Sequence, residues 1–281
     1  MIWKDVMPEV NLALKITDWC NLSCKHCCER CGPTNPYNLM PVTDIEKYVD
    51  EFASFNVMVW NMVVITGGET LAPYYMQQGE YIPKVLDILN QYDLCGALKT
   101  NAMWGDNLFL RKRILTDLDN IAHKYDRQVA LDISVDEYHD NLIPASKIVL
   151  DVMDSCSLID SVPISLVGLN TTASRNVRDK FLNILEQNGV RSTPPTADGV
   201  IYMHKNEKQN VMFWDESGLT RLGRAKDNNL TTAEPSGRPT QTGNCLMITN
   251  DSQAILNYKY KTTVGNKTLG QIYNKLLQRI R

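Results

Sequence analysis

Cys20-Asn21-Leu22-Ser23-Cys24-Lys25-His26-Cys27 is the stretch on which the reading of this chain turns. Three cysteines in C-x3-C-x2-C spacing follow directly on a short apolar run, residues 12–17 (LALKIT). A strand therefore delivers three thiolates into one compact loop. Ferredoxins ligate all the irons of a [4Fe–4S] cluster with cysteine. Three ligands leave one iron open to a small molecule, the logic that separates catalytic from structural zinc sites. Cys28 and Cys31 crowd the same loop, so five of the eight cysteines fall between positions 20 and 31. A zinc site competes with this reading, because Cys24, Cys27, Cys28 and Cys31 form two interleaved C-x2-C pairs. These are too compressed for the separated knuckles of a zinc ribbon.

The rest of the composition frames that loop. The chain has 281 residues, 29 Lys and Arg against 32 Asp and Glu, 43% hydrophobic and 22% charged residues, and a formal charge of −3. These values describe an ordinary folded protein of one large or two small domains, and exclude a strongly basic nucleic-acid binder and a charged disordered chain. The opening MIWKDVMPEV lacks the apolar centre of a secretory signal. The longest apolar run, residues 57–65, is about half of what a membrane-spanning helix needs. The expectation is a cytoplasmic protein with reduced thiols, in which clustered cysteines serve metal binding rather than disulfides.

Outward from the cysteine loop, strand-like and helix-like segments alternate. Ile45, Tyr48, Val49 and Phe52 share one helical face, with Thr43 as expected N-cap and Glu46 completing a capping box. Residues 62–66 (MVVIT) read as a strand ending at Gly67-Gly68, followed by a helix carrying Ile82, Val85, Leu86 and Leu89. Strands at 94–100, 129–135 and 162–167 alternate with helices at 107–125, 144–155 and 173–188, the last ended by Gly189. A sixth strand is expected near 199–203. The pattern predicts an α/β fold, a partial (β/α)6 TIM-like barrel over residues 1–205, with its site at the carboxyl ends of the strands. Residues 206–281 read as a hairpin-plus-helix extension capping the barrel, with strands at 246–249 and 254–258 around Asn250-Asp251 and a final helical stripe from Leu269. Cys95 and Cys156 read as isolated core residues.

The cysteine loop resembles the signature of the radical S-adenosylmethionine (radical SAM) enzymes, with His26 in the place of the aromatic residue before the third cysteine. The resemblance implies one [4Fe–4S] cluster on Cys20, Cys24 and Cys27. Its open iron would chelate S-adenosyl-L-methionine, and one electron would cleave that molecule to a 5′-deoxyadenosyl radical that abstracts hydrogen from the substrate. Gly67-Gly68-Glu69-Thr70 is similar to the family's GGEP motif with threonine for proline, which implies contact with the methionine amino group. Ser134 and Asp136, in the stretch DISVDEYH, match a Ser-x-Asp strand end that implies ribose binding, and Asn170 stands where the family reads adenine. His26 completes these cofactor-binding candidates. His139 is the histidine best suited to acid–base work. Thr100-Asn101 lies at the equivalent edge, as cavity lining or as a turn. Arg224, in a late Gly-Arg-Ala, is a candidate for an anion or a solvated side chain.

The extension resembles a shortened, cysteine-poor version of the auxiliary-cluster region of relatives. It retains Cys245 alone, with Asn257 near the place of a second cysteine, so a single cluster is expected. The implied partners are an external reductant such as flavodoxin or ferredoxin and a peptide, amino-acid-derived or other small substrate. A nucleotide or modified nucleobase is the alternative substrate. A non-enzymatic zinc-binding interaction module is the alternative of another class. Neither a membrane nor a long nucleic acid is expected as a partner.

Overall fold

The computed structural model describes residues 10–54, 61–169, 171–194, 201–205, 208–216, 223–228, 230, 244–256 and 260–278. Strand β1 (Val10–Lys15) leads through the cysteine loop to helix α1 (Val42–Ala53). Next come β2 (Met62–Thr66), α2 (Ala72–Tyr75), α3 (Tyr81–Gln91) and β3 (Cys95–Thr100). A 3-10 turn (Met103–Asp106) precedes α4 (Leu108–Tyr125), β4 (Ala130–Ser134), α5 (Leu142–Asp154), α6 (Leu158–Ser161), β5 (Ile164–Leu169) and α7 (Thr172–Gln187). The remainder comprises β6 (Arg191–Ser192), β7 (Ile201–Lys205), β8 (Lys208–Glu216), α8 (Gly223–Asp227), β9 (Asn244–Thr249), β10 (Gln253–Leu256), β11 (Tyr260–Thr263) and α9 (Leu269–Leu277).

All described strands join one sheet in the order β11-β10-β9-β1-β2-β3-β4-β5-β8-β7-β6. The run from β9 to β8 is parallel throughout, and both ends of the sheet are antiparallel. The strand–helix alternation of the first five units matches the expected partial barrel. Because side chains alternate across a strand, Leu12, Leu14, Ile16, Val63, Ile65, Leu98, Leu131, Ile133 and Leu166 enter one core, together with the buried faces of the helices. The opposite face carries a small second cluster of Ala13, Met247 and Ile255, and a polar row in which Lys99 of β3 stands beside Asp132 of β4, itself in register with Ser165 of β5.

Four expectations are corrected. The sixth parallel strand is β8, paired with β5, whereas residues 201–205 form β7 and turn back on β8 as an antiparallel hairpin. The division expected at 205/206 thus falls within a hairpin of the sheet. The C-terminal hairpin is real, but β9 aligns in parallel beside β1 from Val10↔Asn244 to Lys15↔Thr249. This pairing extends the sheet edge, because an unpaired β1 edge would leave backbone groups without partners. Helix α1 starts at Val42 after Pro41, with no side-chain cap from Thr43, since proline at φ −58° already presets the helical entry. Cys156 is exposed between α5 and α6 instead of packed in the core.

Helix α9 buries Leu269, Ile272, Tyr273 and Leu276, and starts with a capping box between Thr268 and Gln271. No helix of the described residues is long and apolar enough to cross a membrane.

Candidate functional site

The exits of parallel strands all point to one sheet edge, so residues far apart in sequence meet there. The loop after β1 is closed at its base by a bridge between Trp19 and Gly32, with Cys20 N–H donating to the Gly32 carbonyl at 3.3 Å. Cys20, Cys24, Cys27, Cys28 and Cys31 therefore belong to one closed loop. Lys15, the last residue of β1, ties it to the sheet through Glu29 at 2.6 Å and Asp18 at 2.5 Å.

Gly67 and Gly68 leave β2 directly against this loop. A Cβ at Gly68 would stand 2.0 Å from the Trp19 carbonyl oxygen, and one at Gly67 2.7 Å from that of Thr17. The close approach permits Gly68 N–H to donate to Thr17 and Glu69 N–H to Trp19, both at 2.9 Å. The lack of a Cβ at both positions thus admits the chain's own backbone. Glu69 is fully buried. Its carboxylate accepts from Leu71 N–H at 2.9 Å, Thr100 Oγ1 at 2.7 Å and Asn101 N–H at 2.9 Å, welding the exit of β2 to that of β3. Burial pushes its carboxyl above the ordinary range.

Asn101 is the residue that the sequence undervalued. Its Nδ2 lies 3.5 Å from Cys20 Sγ and donates to Asn21 Oδ1 at 2.8 Å. Leu22 N–H reaches the same sulfur at 3.4 Å. Asn141, fully buried, donates to the carbonyls of Asn101 and Ser134, both at 2.7 Å, and so fixes the exits of β3 and β4. No motif announces either asparagine; the only signal is a polar residue just past a parallel strand.

Ser134 is half-buried at the end of β4, and Asp136 beyond it is buried. Asp136 Oδ1 accepts from Tyr138 N–H at 2.8 Å and meets His139 Nδ1 at 3.0 Å. Its Oδ2 lies 3.9 Å from His26 Nε2. His26 stacks on Tyr138 with centroids 4.7 Å apart, meets His139 edge-on at 5.0 Å, and keeps a buried Nδ1 with no hydrogen-bond partner. The cysteine loop and the β4 exit are thereby one constellation. Asn170 lies outside the described residues. The neighbouring cap of α7 is Thr171, which also donates to Glu137 at 2.7 Å.

Arg224, in α8, reaches the backbone carbonyls of the cysteine loop. Its Nε donates to the Cys24 carbonyl at 2.8 Å, its Nη2 donates to the Cys31 carbonyl, and its backbone N–H donates to Cys27 at 2.9 Å. Asn228 donates to the Lys25 carbonyl, and Arg30 pairs with Asp227 through Nε at 2.9 Å and Nη2 at 2.8 Å. Gly-Arg-Ala thus clasps the cysteine loop from outside.

The thiols differ by environment. Burial, then the Glu69 carboxylate, pushes Cys20 up to about 12. Its hydrogen bond with Cys31 leads the causes that pull Cys27 down to about 6, and the same bond drives Cys31 above the thiol range. Burial raises Cys28 to about 12. Burial lowers His26 to about 4. For His139 burial also works against the charge, but Asp136 and the Cys24 sulfur together raise it to about 10. The same histidine holds Asp136 below the carboxylate range despite its burial. On the inner sheet face, Lys99 lies 3.8 Å from Asp132, and burial raises the thiol of Cys245 to about 11.

No protein-family model matches the chain. Over 184 residues it is 27% identical to a Bacillus subtilis (strain 168) protein named "Putative peptide biosynthesis protein YydG"; the match covers 65% of this chain and about half, 51%, of that relative. Among solved structures, native anSMEcpe with bound AdoMet and the Cp18Cys peptide superposes with a TM-score of 0.52 at 13% identity, over 96% of this chain and 82% of that one. Native anSMEcpe with bound AdoMet alone gives 0.51 at the same identity and coverage. The parallel partial barrel, with the C-x3-C-x2-C loop at the end of β1 and the Gly-Gly-Glu turn at the end of β2, is the fold this chain shares with those solved structures.

Proposed function

We propose that the chain is an enzyme that holds one [4Fe–4S] cluster on Cys20, Cys24 and Cys27, binds S-adenosyl-L-methionine beside it, and abstracts hydrogen from a peptide. The observation that carries this reading is the prebuilt loop. It presents three thiols, closes at Trp19 and Gly32, and already aims the Leu22 N–H and the Asn101 side-chain amide at Cys20 Sγ. Such donors suit a thiolate that shares its charge with iron and sulfide. When bound, the cluster and S-adenosyl-L-methionine supply one-electron cleavage of a carbon–sulfur bond and a radical able to take hydrogen.

The chain's own residues do the remaining work. Gly67 and Gly68 set Cys20 in place, and Lys15 and Arg224 hold the flanks of the loop. Glu69 retains one of its four acceptor positions for an ammonium. Ser134 offers a hydroxyl at the rim, and His26 with Tyr138 forms a flat aromatic wall for a ring. Asp136 is committed to His139, His26 and the Tyr138 backbone, so it acts through them. The Lys99–Asp132 pair gives the inner sheet face charges of both signs for a peptide's polar groups. The peptide class is supported by the name of the B. subtilis relative and by the peptide bound in anSMEcpe.

Anaerobic reconstitution with iron and sulfide tests the reading. The expected result is four irons per chain, broad visible absorption and 5′-deoxyadenosine formed from S-adenosyl-L-methionine under reduction. Cys20→Ala, Cys24→Ala and Cys27→Ala abolish all three, while Cys28→Ala and Cys31→Ala retain the cluster. Stoichiometric zinc with no 5′-deoxyadenosine overturns it in favour of an interaction module.

A further inference from the structure

Two histidines and a carboxylate meet where the cysteine loop touches the exit of β4. One ring nitrogen each of His26 and His139 and one oxygen of Asp136 lie within 4.8 Å of one another. Asp136 Oδ1 stands 3.0 Å from His139 Nδ1, and its Oδ2 stands 3.9 Å from His26 Nε2. Zinc binds imidazole nitrogen at about 2.0–2.1 Å and carboxylate oxygen at about 2.0–2.2 Å, so tetrahedral ligand atoms stand about 3.3 Å apart. The two separations bracket that value, and closing the wider one takes about half an ångström. The His26, Asp136 and His139 side chains are only 16%, 5% and 10% exposed, so water competes little for them. Stacking on Tyr138 fixes the plane of the His26 ring, and the Tyr138 N–H holds Asp136 Oδ1 at 2.8 Å. His26 itself has no hydrogen bond: its buried Nδ1 has no partner, and Nε2 lies beyond hydrogen-bond reach of the carboxylate it faces. A buried imidazole without a partner is costly to keep for packing alone.

We propose that His26, Asp136 and His139 form a binding site for one first-row divalent ion of the zinc class, apart from the three cluster thiols. Two imidazoles and one carboxylate are a donor set that suits zinc, and three protein ligands leave a fourth position for water. The ion ties the cysteine loop, through His26, to the exit of β4, through Asp136 and His139. The site uses none of Cys20, Cys24 and Cys27, so it goes beyond the cluster assignment and does not depend on it.

The experiment adds zinc to the reconstituted protein and removes loose metal by gel filtration. Bound zinc is then counted, and its neighbours are read by zinc K-edge X-ray absorption, which the cluster irons do not obscure. The expected result is one zinc per chain with nitrogen and oxygen neighbours at about 2.0–2.1 Å. His139→Ala and Asp136→Asn are expected to lower zinc affinity at least tenfold. His26→Phe keeps a flat ring on Tyr138 and loses the zinc as well, which makes it the deciding variant should His139→Ala fail to fold. Far-UV circular dichroism shows whether each variant is folded. No zinc retained, a zinc shell of sulfur at about 2.3 Å, or unchanged zinc affinity in the folded variants overturns the proposal. The cluster assignment fails on a different observation, a wild-type protein that takes up no iron while zinc still binds through nitrogen and oxygen.

Discussion

Arg224 Nε donates to the backbone carbonyl of Cys24 at 2.8 Å, joining positions 200 residues apart. The same side chain reaches the Cys31 carbonyl, so one guanidinium spans the outer half of the cysteine loop. A hydrogen bond from a charged donor contributes about 1.5–3 kcal/mol. Arg224→Ala is expected to cut iron uptake on reconstitution several-fold and to expose the loop to protease. Arg224→Lys does not rescue it, because a point-like ammonium cannot reach both carbonyls at once. Iron content and limited proteolysis of the three proteins check this.

Gly68→Ala is expected to damage the site without touching a cysteine. Its Cβ would lie 2.0 Å from the Trp19 oxygen and 3.0 Å from Cys20 Cβ. The segment 17–20 must move, at a cost of about 1–3 kcal/mol by analogy with overpacking. The predicted outcome is a lower Tm together with weaker cluster loading. Gly189→Ala is the control: it meets no atom and is strained only by its φ of +80°, so it costs stability but leaves cluster loading intact.

Glu69→Gln tests the weld between β2 and β3. Three donors converge on the carboxylate. An amide NH2 in either position faces at least one of them, leaving buried donors without an acceptor at about 1–3 kcal/mol. Denaturant unfolding of the metal-free protein is expected to show that loss, and S-adenosyl-L-methionine affinity of the loaded protein falls with it.

Lys15→Met removes the tie between β1 and the carboxylates of Asp18 and Glu29. Breaking a buried pair on one side costs about 3–5 kcal/mol, reduced here because Asp18 remains partly exposed. Opposing carboxylates raise the folded-state value of Lys15 above its ordinary 10.5 in spite of burial. A cation raised on folding contributes fully below its unfolded value and loses that contribution as pH climbs past it. The stability gap between wild type and variant is thus expected to stay level through neutral pH and to narrow above about pH 10.5. Urea unfolding at a series of pH values measures it.

The elements legible in the sequence were those governed by short-range pattern. Short apolar runs announced β2 and β4, and Ile45, Tyr48, Val49 and Phe52 announced the buried face of α1, because burial of one helical face requires such spacing. Gly189 announced the end of α7. The capping of α1 was misjudged, since Thr43 and Glu46 imitate a box that Pro41 makes unnecessary. β8 lay inside the stretch read as the extension, because its place beside β5 is decided by pairing across the sheet and not by its own composition.

The candidate site divides in the same way. The spacing of Cys20, Cys24 and Cys27, and Gly67-Gly68-Glu69 after the next strand, are local patterns that carry the resemblance to the radical SAM enzymes. Tertiary structure decided what those residues touch. The glycines serve the backbone of Thr17 and Trp19, Asp136 serves His139, and Arg224 serves the carbonyls of the loop. Asn141 became visible only there, and Asn101 found its partners there. A parallel sheet sends every strand exit to one edge, so polar residues with no motif meet across tens or hundreds of positions, and their roles depend on neighbours that no single stretch of sequence contains.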